Sequence, residues 1–484
     1  MNTRAVVPNS TTPSSDASGQ IGVVNPATGD VIATVAEASE GDVAAAVALA
    51  RQAFPSWRAT PAAERSAALL RFASALRADG AELAALLTAE SGKTIVESEW
   101  DIAWTAEAFE FYAGLALSHS GRMPPPQTPT GTELIVKEPV GVVAAITPWN
   151  YPLLLWAWKA APALAAGNCV IAKPPPETPL TMMRVNDMLG LPDGVHAVVN
   201  GGAETGQHLV EHPGVDLVAF TGTARAGKEV MRACADQVKR LVLELSGNDP
   251  MIVWDDVDLD VAVECACFAA FINAGQVCTS TERIYVRDTI AEEFTRRLAE
   301  RASDLRTGDP ADPGTMIGPV ATEAQDERLE AYVNTARERG AVVHAGGART
   351  GADAGFFFQP TVLSGVGHDV LRELGEIFGP IVPVIPVSTF TEAVELSNDS
   401  VYGLGANVLT SSLELALEAG RELRCGSVWI NSPLIDNNAG PFGGFRQSGL
   451  GRELGLEGYE AYLETKHVTI EPVLSYQPWW FSAR

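Results

Sequence analysis

Three short stretches hold residue types able to do chemistry. The first is FINAGQVCTS, residues 271–280, where Cys278 follows a polar, glycine-containing turn at the end of a helical run. A cysteine is far more often core packing than a nucleophile. Asn273, Gly275 and Gln276 are nevertheless odd residues for a core wall, which points to a working thiol. The second is LVLELSGNDP, residues 241–250, where Glu244 sits in an apolar strand between Leu243 and Leu245. An unpaired buried carboxylate is costly, so such a residue has a partner or a job. Burial raises its pKa towards neutrality and suits it to general base work; an edge-strand glutamate facing water is the plainer alternative. The third is TPWNYPLLLWAWK, residues 147–159, in which Pro148 closes a buried strand and Asn150 lies in the turn before a helix. An amide there can donate to an oxyanion or simply cap the helix.

Positioning these groups takes a large scaffold. At 484 residues the chain is too long for one simple core, and two or three domains are expected. Helix signals fill the first hundred residues. Thr60 and Pro61 read as N-cap and N1. Leu69, Phe72, Ala73 and Leu76 recur on one face, and Leu83, Leu86 and Leu87 continue the pattern in a following helix. Between 120 and 138 the pattern changes: MPPPQTPTG is proline-rich and TELIVKEP reads as an exposed strand. From Val140 onward, short apolar runs at 141–146, 169–172, 198–199, 217–220 and 241–245 alternate with helical stretches such as 153–166 and 224–235. That alternation predicts an α/β fold with a parallel sheet covered on both faces, which binds nucleotides beyond its strand C-terminal ends. A second alternating region runs from about 251 to 446, with strands predicted at 251–254, 283–286, 381–386 and 426–430. The turn at 246–250 between the two is a plausible hinge.

Composition excludes several classes. The formal net charge is −26, from 34 basic and 60 acidic residues, so the surface repels phosphate backbones and nucleic acid is not an expected partner. Cys265 and Cys267 form a CxC with no second pair and no histidine cluster beside it, so no metal site is expected. No apolar run approaches the ~18 residues of a membrane span. Residues 1–20 are rich in Ser, Thr and Asn without an apolar stretch, and read as a flexible tail rather than a secretory signal. The cytoplasm is the expected location.

The set PWNYP, FTGTARAG, LELSGNDP, NAGQVCTS, EIFGP and PFGGFRQSGLGRELG resembles the aldehyde dehydrogenase superfamily, in that family's order, over about residues 20 to 475. The resemblance implies oxidation of an aldehyde to a carboxylic acid with NAD or NADP. It makes Cys278 the nucleophile that forms a thiohemiacetal and then a thioester. It gives the oxyanion to the Asn150 amide and the Cys278 backbone N–H, and the hydrolytic water to Glu244. Lys159 and Glu453 match proton-relay positions, with a structural ion pair as the alternative. It assigns the cofactor to Ile146, Thr147, Pro148 and Trp149; to Lys173 and Pro176; to Gly202, Gly206, Phe220, Gly222, Thr223, Gly227 and Leu245; and to Glu376 and Phe378. Gly222 and Gly227 flank a helix start, a reasonable pyrophosphate seat in itself. Tyr151, Leu155, Trp158, Val277 and Thr279 fall at the aldehyde pocket.

The resemblance further implies a Rossmann-like cofactor domain over 21–120 and 140–246, a second α/β catalytic domain over 247–446, and a β-ribbon from 121–139 and 465–484 that pairs subunits into dimers or tetramers. Two departures bear on function. KPPPETP places Pro176 where the family carries an acidic ribose reader, with Glu177 one position late, so NADP is expected to be accepted as well as NAD. Trp158 stands where acidic-semialdehyde members place an arginine, so acidic semialdehydes are the less favoured substrates. GRELG with FRQSG looks most like the betaine aldehyde and aminoaldehyde branch. The expected substrate is an apolar, aromatic, amino or quaternary ammonium aldehyde; the aromatic faces of Tyr151, Trp156 and Trp158 suit apolar chains and quaternary ammonium groups, unless they are simply core. A redox sensor without turnover is the other alternative, and retention of Glu244 argues against it.

Overall fold

The computed structural model describes residues 2–3, 6–7, 19–350, 355–476 and 479–481. Its first sheet has seven strands. The central five are parallel, in the order Arg240–Glu244, Leu217–Thr221, Val142–Ile146, Cys169–Lys173, His196–Val199. Antiparallel Gly449–Leu450 and Val6–Val7 close the two edges. The strands VVAAI and CVIAK are buried at every position, as strands covered on both faces must be. Ile146, Lys173, Thr221 and Glu244 therefore stand together along one edge, at the strand C-terminal ends.

The helix Pro152–Ala166 is buried at every residue. Pro152 takes N1, where a missing N–H is harmless, and Gly167 ends the helix in the left-handed conformation at φ 100°. It places Leu155, Trp158 and Lys159 beneath the site.

The second sheet also has seven strands, in the order Val342–Ala345, Thr361–Ser364, Ile381–Val387, Thr281–Arg287, Asp249–Val253, Gly405–Leu409, Ser427–Ile430. All its pairs are parallel except the first. Each sheet has its own hydrophobic core. Leu245 N–H donates to Ser448 O at 2.8 Å, and Ser448 Oγ donates to Ser246 O at 2.7 Å, so the stretch between the sheets is held from both sides.

A two-stranded antiparallel ribbon pairs Thr132–Pro139 with Leu463–Ile470. The tail expected over 1–20 lies largely outside the described residues. Of its described parts, Asn2–Thr3 pairs with Val31–Glu37 and Val6–Val7 with His196–Val199. One expected boundary is corrected. Thr60 caps the C-terminus of Glu40–Ala59, with its hydroxyl donating to Ser56 O, and Pro61 rather than Thr60 is the N-cap of Ala62–Ala78. Two helices meet there with only Thr60 and Pro61 between them, so Thr60 is spent on the first.

Candidate active site

Cys278 sits on a turn whose odd residues are its braces. The helix Leu259–Phe271 ends and the chain tightens into Ile272–Gly275, where Asn273 and Ala274 take left-handed φ of 50° and 53°. Such backbone persists only where neighbours fix it. Buried Glu97 accepts from Asn273 N at 2.7 Å, and Asn273 Nδ2 donates to Asn150 O and Gln276 O. Gln276 Nε2 returns a bond to Asn273 O, and Gln276 Oε1 accepts from Ala321 N. A Cβ on Gly275 would lie 2.2 Å from Gly379 O, so the turn presses against the EIFGP segment and only glycine fits.

Asn150 Nδ2 donates to Gln276 O at 3.0 Å, two residues before the thiol. An amide has two N–H groups, so this bond leaves the second one free of it, and Asn150 and Cys278 line the same cavity. Asn150 is not a helix cap: Tyr151 is the N-cap residue, and it makes no side-chain cap bond. The Cys278 thiol is pushed well above its ordinary pKa, first by burial and then by the negative charges of Asp436, Asp249, Glu244 and Glu376.

Glu244 ends its strand between two others, so it is not an edge residue facing water. It is 3% exposed, and neither carboxylate oxygen accepts a hydrogen bond. Burial first, and Glu453 second, hold its pKa well above the usual carboxylate range. Lys159 Nζ donates to Glu453 Oε1 at 2.7 Å and to Thr221 Oγ1 at 2.6 Å. Lys159 and Glu453, 294 positions apart in sequence, thus form a buried ion pair within charge range of Glu244. Burial also raises the Glu453 pKa, against the pull of Lys159.

A second group of residues lies along the C-terminal edge of the first sheet. Thr223 caps the helix Ala224–Ala235, accepting from Ala226 N. Lys173 Nζ donates to Pro174 O and Gly201 O, and burial brings its pKa down to about 8. Pro176 and Glu177 are half-buried, and Glu177 and Glu37 both act on Lys173 by charge. Glu37 also accepts from Gly202 N at 2.9 Å. Glu376 is held by Gly247 N and by the Ser246 hydroxyl. Glu282 accepts from Ile377 N and Phe378 N, fixing Phe378 at a left-handed φ of 50° with Trp149 edge-on at 5.4 Å.

A cavity of about 430 Å³ opens at the thiol. Tyr151, Leu155, Trp158, Val277 and Thr279, the five residues expected at an aldehyde pocket, all line it. Trp156 does not. It is fully buried and donates to His196 Nε2 at 3.1 Å, because the helix turns it away from its neighbours at 155 and 158. The helix Ile95–Ser118 contributes Trp100, Trp104 and Glu107, three residues spaced along one face. A loop after Ser427–Ile430 adds Asp436 and Phe442, the latter 4.9 Å from Trp158.

Comparison with known proteins decides the family. The aldehyde dehydrogenase family model matches residues 13–468. The chain belongs to the aldehyde dehydrogenase family. It is 40% identical over 455 residues to a betaine aldehyde dehydrogenase of Bacillus subtilis (strain 168), covering 92% of this chain and 93% of that one. It is 39% identical to a peroxisomal aminoaldehyde dehydrogenase 2 of Pisum sativum, covering 96% and 94%. A crystal structure of betaine aldehyde dehydrogenase from Staphylococcus aureus with NAD+ superposes with a TM-score of 0.93 at 38% identity, over 95% of this chain and 93% of that one. The chain is thus an NAD(P)-dependent aldehyde dehydrogenase with the family's α/β architecture.

Sequence reasoning missed several residues of this dehydrogenase's site. Glu97 and Glu282 are buried carboxylates that brace loops, and Glu282 stands out in sequence as an acid flanked by Thr281 and Arg283 in a buried strand. Thr221, Glu37 and Asp436 carried no local signal. A nicotinamide dinucleotide fits the residues present. Added Cβ atoms at Gly222 and Gly227 would lie 2.6 Å from the Phe220 ring and 2.4 Å from the Leu245 side chain, so the backbone stays bare at the start of Ala224–Ala235. Thr147 Oγ1, just after the strand Val142–Ile146, is buried without a hydrogen-bond partner among the described residues. No helix of the described residues is long and apolar enough to cross a membrane.

Proposed function

We propose that this dehydrogenase oxidises aldehydes bearing a distal cation, with Cys278 as nucleophile and Glu244 as base. One observation carries the substrate reading. The cavity at Cys278 is walled by Trp100, Trp104, Tyr151, Trp158 and Phe442, includes the carboxylates of Asp436 and Glu107, and among the described residues has no Lys, Arg or His in its lining. Aromatic faces attract a cation by about 0.5–2 kcal/mol each, and the carboxylate of Asp436, which no ion pair among the described residues engages, adds to the pull. The betaine aldehyde and aminoaldehyde relatives bear names that agree. An acidic semialdehyde would find no cation for its carboxylate, which disfavours that alternative.

The chemistry follows from the groups in place. The Cys278 thiol loses its proton to water in the open cavity, its sulfur adds to the carbonyl carbon as the C=O π bond breaks, and the Asn150 amide with the Cys278 N–H donate to the oxygen as it gains charge. A bound nicotinamide cofactor supplies the two-electron acceptor that takes the thiohemiacetal to a thioester. Glu244, unpaired and ionised late, then removes a proton from the hydrolytic water. Lys159 and Glu453 lead that proton away from the buried carboxylate. Thr223, Lys173 and Glu376 would hold the cofactor's pyrophosphate and its two riboses, with NAD and NADP both accepted. Retention of Glu244 disfavours a sensor, which needs no deacylation.

The same reading makes the enzyme a cytoplasmic homo-oligomer, dimer or tetramer, joined through the 132–139 and 463–470 ribbon. Its six unpaired cysteines suit a reducing compartment. The substrate test is kcat/KM for cationic, uncharged and acidic aldehydes of equal length. The cationic compounds are expected to lead, and a lead for the acidic one contradicts the proposal.

A further inference from the structure

We infer that Asp436 is a specificity-determining residue that selects aldehydes whose distal cation still carries N–H bonds, primary or secondary ammonium over fully alkylated nitrogen. The inference rests on the reading above that the cavity takes cationic aldehydes, and goes further by saying which cations.

Asp436 lines the same cavity as Cys278. Apart from the base Glu244, buried carboxylates around the site are engaged, for example Glu97 by Asn273 N, Asp101 by Lys93 and Leu154 N, and Glu282 by three donors. Asp436 accepts no hydrogen bond and joins no ion pair among the described residues, and burial within the cavity walls alone pushes its pKa up to about 7. It is an acceptor left open on the wall of the cavity that the substrate chain fills, within charge range of Cys278.

The loop that presents it is braced. Asn431 and Leu434 hold left-handed φ of 57° and 59°. Asn431 exchanges two side-chain hydrogen bonds with the Thr410 backbone, at 3.0 and 2.8 Å. Trp429 Nε1 donates to Ile435 O at 2.9 Å, on the residue before Asp436, and Gly455 N donates to Asn438 O beyond it. Non-glycine residues stay left-handed only where the surroundings dictate it, so the carboxylate has a set position.

The aromatic walls are less free than their number suggests. Lys93 Nζ lies 3.2 Å from the centroid of the Tyr151 ring, so one face of that ring already holds the protein's own cation. Trp158 packs against Phe442. A trimethylammonium group cannot donate a hydrogen bond and depends on such faces. An ammonium group with N–H bonds can instead make charge-assisted bonds to Asp436, which are about twice as strong as neutral ones.

The test uses the full-length enzyme and three aldehydes of equal chain length, ending in ammonio, trimethylammonio or methyl groups. Wild type is expected to favour the ammonio compound over the trimethylammonio one by about tenfold in kcat/KM, the value of one charge-assisted bond. Asp436→Asn should erase that ratio by lowering the ammonio value, while the methyl-ended aldehyde gains because no carboxylate is left against its chain. Asp436→Glu should keep the preference, which separates lost recognition from a disturbed fold. Equal losses for both cations in Asp436→Asn would show charge attraction without N–H recognition and overturn the inference. So would an unchanged ratio. A wild type that prefers the methyl-ended aldehyde to both cations would instead overturn the cationic reading of the cavity.

Discussion

Two groups of carboxylates bear on one thiol, and the protein treats them differently. Glu244 and Glu453 are 3% and 1% exposed, with Lys159 as the shared compensating cation. Asp436 and Glu107 open onto a cavity whose lining has no cation among the described residues. Chemistry that is the same for every substrate can be wired inside the protein, with its counter-charge built in. Selection among substrates needs charge left uncompensated, so that the arriving molecule supplies the partner.

That contrast can be broken at graded points. Removing the centre of both groups has the largest effect: Cys278→Ala should lower turnover by about ten-thousandfold or more. Reduced-cofactor fluorescence titration should still show binding, since the residues around Lys173 and Thr223 are untouched. Within the wired group, Lys159→Met leaves Glu453 buried and unpaired, and should cost about 3–5 kcal/mol of stability. Thermal unfolding checks this, and adding Glu453→Gln should recover most of the loss; no recovery would mean that the pair is not the source.

Smaller effects belong to the cofactor edge and the open group. The wild-type preference for NAD over NADP is expected to stay below about a thousandfold, roughly 4 kcal/mol, because Pro176 cannot repel a phosphate. Glu177→Ala and Glu37→Gln, each removing a charge near Lys173, should each shift kcat/KM towards NADP by about tenfold, one charged interaction's worth. If neither moves it, pocket shape and not charge selects the cofactor. Asp436→Asn should lower the Cys278 thiol pKa, because that carboxylate disfavours the thiolate. Alkylation by iodoacetamide should then begin at lower pH than in wild type; an unchanged profile would separate Asp436 from the thiol.

Much of the scaffold was legible because its strands are apolar throughout: 141–146 and 169–172 differ from the observed strands by one residue at an end. Val342–Ala345 escaped notice because, on the sheet edge, its burial is partial and its pattern mixed. Gly405–Leu409 hides a Gly and an Asn inside a buried strand, where Asn407 Nδ2 donates to the Thr281 hydroxyl. Cys278 and Asn150 read alone as core packing and a helix cap and gained their roles from the six motifs together, whereas Glu244 stood out as a carboxylate inside an apolar strand. The Lys159–Glu453 contact did not, since 294 residues separate its partners and only the fold closes that distance. Asp436 lies in a polar loop, where an aspartate looks ordinary until the cavity is seen.

The central claim is that Glu244 serves the second half of the reaction and not the first. Its raised pKa places its ionisation above the ordinary glutamate range, so hydrolysis should accelerate as pH rises through that ionisation. The direct measurement is rapid mixing of Glu244→Gln with saturating aldehyde and cofactor, following absorbance of the reduced nicotinamide. A burst of about one equivalent per site is expected, then a steady rate slower than wild type by about a hundredfold or more and without that alkaline rise. A steady rate equal to wild type, or no burst at all, would contradict the account.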